Sequence, residues 1–265
     1  MTQASPAVSE YYQSSDRELA RRYLGDRYPE FNEEYFRAAI HHRYDLYPHI
    51  PKVAAFDQFR DKDVLEVGVG QGSDHYMFAS NGARTTGVDI TPKHCEITEL
   101  LFATLGLEAR VQLADARALP FADQSFDHVY SCGVLLLFPE IEKALSEIRR
   151  VLRPGGSTTI MLYNKASIHY WIKTRLYYGW ALNENAVLGR NTVTDWYTDG
   201  IGYPKTYHYG PRDLPRLFAG FSKVEYQTAC LTPEQIPEVG LPTSSSALQW
   251  LEDRFGFFLW VRAWA

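Results

Sequence analysis

The stretch Asp63-Val-Leu-Glu-Val-Gly-Val-Gly-Gln-Gly-Ser-Asp74 decides the fold of this 265-residue chain. Val64, Leu65 and Val67 form a short apolar run, which predicts a strand buried on both faces of a parallel sheet. The glycines that follow allow positive φ and let a ligand lie against bare backbone. A helix opening near Gln71 would point unpaired N–H groups into the same space. The stretch therefore predicts a nucleotide-binding loop.

Spacing and one carboxylate indicate which nucleotide this loop takes. In the dinucleotide fingerprint Gly-x-Gly-x-x-Gly the loop holds a pyrophosphate, but here the third glycine comes one residue early. An acidic residue also precedes the first glycine, and a fixed anion beside the loop repels phosphate and suits a cation. At these positions the chain resembles the class I S-adenosylmethionine-dependent methyltransferases, whose first motif is Glu-x-Gly-x-Gly-x-Gly. The motif is matched by Glu66, Gly68, Gly70 and Gly72.

Composition narrows the classes of function. The chain is 45% hydrophobic and 14% aromatic, which suits one sizeable core. Its net charge of −5 and the lack of a run of lysines and arginines argue against a nucleic-acid substrate. The 3 cysteines are few and scattered, so we expect neither a disulfide framework nor a metal site. No uncharged apolar segment approaches the roughly 18 residues needed to span a bilayer, and we expect a soluble, cytoplasmic protein.

Further motifs extend the resemblance over residues 63–163. It implies a Rossmann-like, doubly wound α/β fold with a seven-stranded sheet of order 3-2-1-4-5-7-6, whose last strand is antiparallel. An N-terminal helical cap and an insert after the fifth strand complete the expected fold. After the first strand, we predict strands at 84–90, 108–113, 125–131, 157–163, 221–228 and 256–263, with the turn Arg153-Pro-Gly-Gly156 before the fifth.

The same pattern divides the chain into four expected parts. Residues 1–62 form a helical lid, and residues 63–163 form the cofactor-binding core. Residues 164–220 form an aromatic-rich insert that binds the acceptor, and residues 221–265 complete the sheet.

The cofactor site is predicted at the carboxyl ends of the strands. Asp89 lies at the tip of the second strand, where its two oxygens can accept both ribose hydroxyls. The resemblance implies that Asp115 accepts from the adenine amino group and that the backbone N–H of Ala116 supports the ring. It also implies a lid helix from which Arg43 meets the methionine carboxylate, although packing on the sheet edge is the plainer interpretation. The predicted cofactor set is Arg43, Glu66, Gly68, Gly70, Gly72, Asp89, Ile90, Asp115, Ala116, Ser131 and Cys132.

The insert indicates where the acceptor binds. It carries seven lysines and arginines against four acidic residues, and it is rich in Tyr, Trp and His. We predict an aromatic-walled, mildly electropositive cleft for a planar or anionic small molecule. Candidate general bases are His169 and His208, while simple packing and a transfer without any base remain alternatives. The predicted acceptor contacts are Tyr35, His42, Tyr163, Tyr170 and Tyr207.

The leading hypothesis is methyl transfer by in-line displacement to the O, N or C atom of a natural product or other metabolite. One alternative is an S-adenosylmethionine-binding protein that catalyses another reaction or uses the molecule structurally. A nicotinamide-dependent oxidoreductase is disfavoured by Glu66 and the early third glycine. Residues 168–180 mix aromatics and cations as interfacial helices do, but these do not separate by face, so membrane or lipid contact is the minor alternative. We expect a monomer or a homodimer.

Overall fold

The structure is a computed structural model, and it describes residues 31–183, 186, 205–231 and 246–265. The first 30 residues of the predicted lid and parts of the predicted insert therefore lie outside the described residues. The strands are β1 Asp63–Val67, β2 Arg84–Asp89, β3 Val111–Leu113, β4 Phe126–Cys132, β5 Leu152–Asn164, β6 His208–Tyr209, β7 Lys223–Ala229 and β8 Phe258–Trp264.

The eight strands of the described residues belong to one sheet, in which seven follow the order β3-β2-β1-β4-β5-β8-β7. Strands β1 to β5 run parallel, whereas β8 is antiparallel to both of its neighbours. The predicted Rossmann-like α/β fold and strand order are thereby confirmed. One feature was not predicted: the two-residue strand β6, which belongs to the insert, pairs parallel with the end of β5.

Strand β1 lies inside this sheet and has apolar side chains on both of its faces. Val64, Leu65 and Val67 are all buried, as a strand covered by helices on each side requires. Its neighbours are β2 and β4. The carboxyl ends of these three strands consequently open at the same edge of the sheet, which is where ligands bind in open α/β folds.

The helices cover the two faces of the sheet. The N-cap of α1 is Asn32, whose side chain accepts a hydrogen bond from the backbone N–H of Tyr35 at 2.9 Å. Pro92 begins α4, where its missing N–H costs nothing. The helices are α1 Glu33–Leu46, α2 Ile50–Ala54, α3 Ser73–Ser80, α4 Pro92–Thr104, α5 Ile141–Val151, a π-helix His169–Ala181, α6 Leu214–Leu217 and α7 Ser246–Phe255.

Helix α1 packs beside the glycine loop. Tyr35 and Phe36 are buried in an apolar cluster with three residues of α4, namely Ile97, Leu101 and Phe102. The hydroxyl of Tyr35 donates to Oε1 of Gln71, within the loop itself, at 3.1 Å. The described part of the predicted lid therefore lies against the loop that follows β1.

The segment Arg153-Pro-Gly-Gly156 corrects one local prediction. We expected it to be a turn before the fifth strand, but β5 already begins at Leu152. Phe126 pairs with Leu152 and His128 pairs with Ser157, so β5 carries the extra residues as a bulge. Gly155, with φ +76°, supplies the left-handed conformation that this bulge needs.

Candidate cofactor and active site

The glycine loop forms the floor of a cleft at the carboxyl ends of β1, β2 and β4. Gly68 has φ +83°, and a Cβ atom there would lie 2.1 Å from Cγ2 of Val134. Gly70 has φ +54°, but a Cβ atom there would meet nothing within 4 Å. Gly68 is thus required by close packing, whereas Gly70 faces open space. The cleft holds roughly 680 Å³ including solvent at its mouth, and it is lined by Val67, Gly68, Gly70, Val88, Asp89, Ile90, Thr91, His94, Ala114, Ala116, Cys132, Gly133, Val134, Leu137 and Phe138.

Asp89 is held rigidly in the wall of this cleft. Its Oδ2 accepts from the backbone N–H of Gly70 at 3.0 Å, and its Oδ1 accepts from that of Thr91 at 2.9 Å. Nδ1 of His94 lies 3.2 Å from Oδ1. Although burial opposes ionisation, the hydrogen bond and charge of His94 and the two backbone donors keep the pKa of Asp89 below its usual range. The carboxylate stays ionised, and each oxygen keeps acceptor capacity for a further donor.

Part of the cleft wall is apolar and suits a flat ring. Ala116 and Phe138 line it, and the guanidinium of Arg117 lies over the Phe138 ring at 5.2 Å. Asp115 is engaged by that same guanidinium, with Nη2 of Arg117 at 2.7 Å from Oδ2. The hydrogen bonds from Arg117 outweigh burial and lower the pKa of Asp115. Any further donor to Asp115 would therefore share the carboxylate with Arg117.

Glu66 lies beneath the loop, on β1, and is almost fully buried. Its Oε2 is 3.2 Å from Nδ1 of His75 but makes no hydrogen bond within the described residues. Burial, together with the charge of Asp74, raises the pKa of Glu66 well above its usual range. Burial also lowers the pKa of His75 to about 3, so the imidazole is neutral. Burial and the charge of Asp74 outweigh the opposing charge of Arg43, so a further positive charge from a ligand would favour ionisation of Glu66.

Glu66→Gln tests this view of the buried carboxyl. Because the folded-state pKa is raised, the native state binds this proton more tightly than the unfolded chain, and ionisation at higher pH lowers the free energy of unfolding. The glutamine of the variant cannot ionise, so the variant does not lose this stability as pH rises. Its unfolding free energy relative to the wild type should therefore rise with pH in urea titrations from about pH 4 to about pH 8. A difference that stays constant with pH would contradict the raised pKa.

A buried ion pair joins α1 to the start of α3. Nε and Nη2 of Arg43 donate to the two carboxylate oxygens of Asp74 at 2.8 and 2.6 Å. The hydroxyls of Tyr44 and Tyr130 donate to the same carboxylate at 2.8 and 2.9 Å. These partners overcome burial and lower the pKa of Asp74. Nη2 of Arg43 also lies 3.5 Å from Sγ of Cys132, which lines the cleft, so the guanidinium borders the predicted methionine end while paired to Asp74.

Two predicted cofactor residues lie beside the cleft and support it. Oγ of Ser131 donates to the backbone carbonyl of Val67 at 2.9 Å and ties β4 to β1. Gly72, with φ +82°, leaves room for Thr98, whose side chain would lie 2.9 Å from a Cβ atom there. Oγ1 of Thr98 donates to the carbonyl of Gly70 at 3.1 Å and fixes the loop.

The predicted acceptor residues gather where β5 and β6 end. Tyr163 pairs with His208 across these strands. The His208 ring lies 5.5 Å from the Tyr163 ring and 5.2 Å from the Tyr170 ring. Nη2 of Arg175 donates to the Tyr170 hydroxyl at 2.5 Å. Burial and the charge of Arg175 lower the pKa of His208 to about 4, so His208 is neutral at physiological pH.

The remaining candidates occupy other positions. His169 is buried, with its ring 4.6 Å from that of Phe257. The backbone N–H of Tyr207 donates to the carbonyl of Leu136 at 2.8 Å, which places β6 beside the turn that lines the cleft. Tyr35 is buried against α4 and contacts the glycine loop rather than this cluster. His42 is half-buried on α1.

Sequence reasoning missed several residues that shape the site. Asp74 ends the motif stretch, yet its partner Arg43 lies 31 residues earlier in the chain. Val134, Leu137 and Phe138 line the cleft from the turn after β4. An acidic residue in the first turn of a helix is a signal for Asp74, but it indicates only a favourable helix dipole. The apolar turn carries no pattern that distinguishes a pocket wall from core.

The residues of the cleft fit an adenosyl ligand that bears a positive charge. The open space at Gly70 allows a ligand to lie on the backbone, and the ionised Asp89 beside it suits vicinal hydroxyls. The apolar wall at Phe138 suits a base, and a positively charged ligand nearby would favour ionisation of the buried Glu66. Among the described residues, no cluster of His, Cys, Asp and Glu is suited to bind a metal ion. Nor, over the same residues, is any helix long and apolar enough to cross a bilayer.

Comparisons with known proteins match part of this chain to methyltransferases. A family model described as "Methyltransferase domain" matches residues 65–160. A sterol 4-C-methyltransferase of Caenorhabditis elegans is 31% identical over 155 residues, covering 56% of this chain and 45% of that protein. A demethylmenaquinone methyltransferase of Thermus thermophilus is 37% identical over 102 residues, covering 38% of this chain and 46% of that protein. The chain thus spans less than half the length of these curated relatives.

The fold is also shared with solved structures. An S-adenosylmethionine dependent methyltransferase from Mesorhizobium loti superposes with a TM-score of 0.56 at 18% identity, covering 82% of this chain and 97% of that one. At this identity the match shows the fold. The predicted resemblance is confirmed over residues 65–160, which match a methyltransferase domain.

Proposed function

We propose that this protein transfers a methyl group from S-adenosylmethionine to a small-molecule acceptor by in-line displacement. The observation that carries the proposal is the open backbone at Gly70 beside the ionised, backbone-anchored carboxylate of Asp89. When bound, the cofactor supplies an electrophilic methyl group on a positively charged sulfur. The protein must then position the acceptor and exclude water.

The residues of the cleft divide the binding roles among them. Asp89 would accept from the ribose hydroxyls, while Ala116 and Phe138 would enclose the adenine. Gly68 and Cys132 would border the methionine end. Arg43 would reach the methionine carboxylate only by sharing its guanidinium with Asp74, because Nε and Nη2 already donate to that residue. Asp115 would accept from the adenine amino group alongside Arg117.

The acceptor is proposed to bind between the cleft and the cluster of Tyr163, Tyr170, Arg175 and His208. Nε2 of His208 and Nη1 of Arg175 are buried and make no hydrogen bond within the described residues. A neutral imidazole can accept a proton, and an adjacent guanidinium stabilises the oxyanion that its loss creates. The cluster therefore suits an acceptor hydroxyl. The relatives named for a sterol and for demethylmenaquinone support an apolar acceptor body.

His208→Gln separates a base from a packing residue. If His208 removes the acceptor proton, the variant should lower the rate of transfer by about 10²- to 10⁴-fold. Since the pKa of His208 is lowered to about 4, the wild-type rate should stay level near neutral pH and fall as pH drops through about 4. The pH profile of single-turnover transfer measures both effects. The rate of the variant should show no fall as the pH drops through about 4.

His49→Gln is the matched control. Burial and the charge of Arg43 also lower the pKa of His49 to about 4. Its ring packs on Phe258 at 5.6 Å, and Phe258 in turn stacks on Tyr163 at 6.1 Å, so His49 lies one ring removed from the acceptor cluster. This variant should keep the wild-type rate. Equal losses in both variants would show that His208 only packs, and His169 or a transfer without a base would then be favoured.

Methyl transfer itself is tested with S-adenosylmethionine carrying a labelled methyl group and panels of sterols, quinols and phenolic metabolites. An acceptor heavier by one methyl group, with one S-adenosylhomocysteine released per product, supports the proposal. Saturable cofactor binding without any methylated product across these panels would favour the alternative of a different or structural use of the cofactor. Saturable binding of NADH instead would revive the oxidoreductase alternative.

A further inference from the structure

The π-helix His169–Ala181 arranges its side chains with an unusual period. In a π-helix each N–H bonds to the carbonyl five residues back, so residues four to five positions apart share a face. His169 and Thr174 are five apart and both are buried. Trp171, Leu176 and Trp180 are five and four apart, and they are 60%, 54% and 75% exposed. The helix therefore has a buried side and a separate apolar side that faces outward.

The π-helical winding changes which side chains of this segment share a face. At the α-helical period, residues three to four apart share a face, and the aromatic residues of this segment do not separate from the polar ones. At the π period, the three large apolar side chains form one stripe. We name the stripe of Trp171, Leu176 and Trp180 the outer face. Large exposed apolar groups so close together mark an interaction surface.

The charge of the segment indicates the partner. Between Lys165 and Asn183 the sequence contains Lys173 and Arg175 but no aspartate or glutamate, although the chain as a whole has a net charge of −5. Arg175 contacts Tyr170, but an element that also carries Lys173, has no acidic residue and exposes two tryptophans is suited to the headgroup region of an anionic bilayer. Tryptophan in particular favours that boundary, because its ring is apolar and its N–H is polar.

The same helix reaches the acceptor cluster through Tyr170, whose ring lies 5.7 Å from that of Trp171. The ring of Tyr170 lies 5.2 Å from that of His208, and the guanidinium of Arg175 lies over the Tyr170 ring at 4.9 Å. His169 packs on Phe257. One short element thus connects the outer face to the acceptor cluster.

We propose that the outer face docks on an anionic lipid surface. Resting on the proposed function, the docked protein takes an acceptor that is dissolved in the bilayer, which passes along the π-helix to the cluster at His208. Docking itself requires neither cofactor nor acceptor, so it is measured independently of methyl transfer.

The test is co-sedimentation of the full chain with vesicles of phosphatidylcholine alone or mixed with phosphatidylglycerol. Wild type should bind the mixed vesicles, more weakly at high salt, and the double variant Trp171→Ser/Trp180→Ser should bind at least about tenfold more weakly. The matched control is Trp250→Ser, because Trp250 is 52% exposed but lies on α7. That variant should bind like wild type.

Folding and cofactor binding of each variant are checked by circular dichroism and by calorimetry with S-adenosylmethionine. Failure of the wild type to bind the mixed vesicles, or equal binding by the double variant, would overturn the proposal. So would a dimer in sedimentation velocity that the double variant converts to monomer, since the outer face would then be an interface between two copies. If the wild type does not bind S-adenosylmethionine, the proposed function is wrong. The docking proposal is then decided by the vesicle result alone.

Discussion

Asp74→Asn is expected to lower the free energy of unfolding by about 3 kcal/mol, because it leaves the guanidinium of Arg43 without its anionic partner. The side chain of Asp74 is 2% exposed and that of Arg43 is 30% exposed, which places the effect at the lower end of the range for buried pairs. Two tyrosine hydroxyls also lose a charged acceptor. Urea unfolding at neutral pH measures the loss.

The matched control is an exposed ion pair on α1, the helix that carries Arg43. Arg37 and Glu33 form an ion pair at 2.9 Å, but both side chains are largely exposed, so Glu33→Gln should cost less than about 1 kcal/mol. Because the pKa of Asp74 is lowered, its stabilisation is present above the ordinary aspartate pKa and is lost as pH falls through the depressed value. Equal effects of the two substitutions at neutral pH would show that the buried pair does not hold α1 to α3.

Gly70→Ala is expected to weaken binding of S-adenosylmethionine by about tenfold to a hundredfold while the fold persists. A Cβ atom at Gly70 meets no protein atom within 4 Å, so it would project into the space that the ligand needs. Overpacking of this kind costs about 1–3 kcal/mol, and each 1.4 kcal/mol is about tenfold in affinity. Isothermal titration calorimetry measures the change.

Gly106→Ala provides the comparison. Gly106 also has a positive φ, of +76°, and open space around its Cβ position, but it follows α4 and does not line the cleft. Both substitutions should lower the free energy of unfolding by about 1–2 kcal/mol, the cost of the left-handed conformation for alanine. Only Gly70→Ala should impair binding. Unchanged affinity in Gly70→Ala would place the ligand away from the loop.

The fold could be predicted because its signals are local. The apolar run of β1 and the glycines after it depend on neighbouring residues, and the strand order followed from the family resemblance. Asp89 was predictable for the same reason, since it ends a strand at a fixed distance from the loop. The bulge in β5 was missed because a Pro-Gly-Gly sequence is equally typical of a turn between elements.

The unpredicted features depend on contacts distant in sequence or on helix winding. Asp74 is paired by Arg43 and Tyr130, and neither partner can be read from a pattern around Asp74. The three acidic residues predicted to contact the cofactor also differ from one another in their positions. Asp89 lines the cleft, whereas Asp115 is shared with Arg117 and Glu66 lies beneath the loop beside His75. The outer face of the π-helix emerges only from a period that sequence analysis did not consider.

The most direct test of the central claim is a crystal structure with S-adenosylhomocysteine bound. We predict electron density for the ligand along Gly68 and Gly70, with both ribose hydroxyls within hydrogen-bond distance of the Asp89 carboxylate and the adenine enclosed by Ala116 and Phe138. Density for the ligand elsewhere, or a ribose that leaves Asp89 untouched, would contradict the assignment of this cleft as the cofactor site.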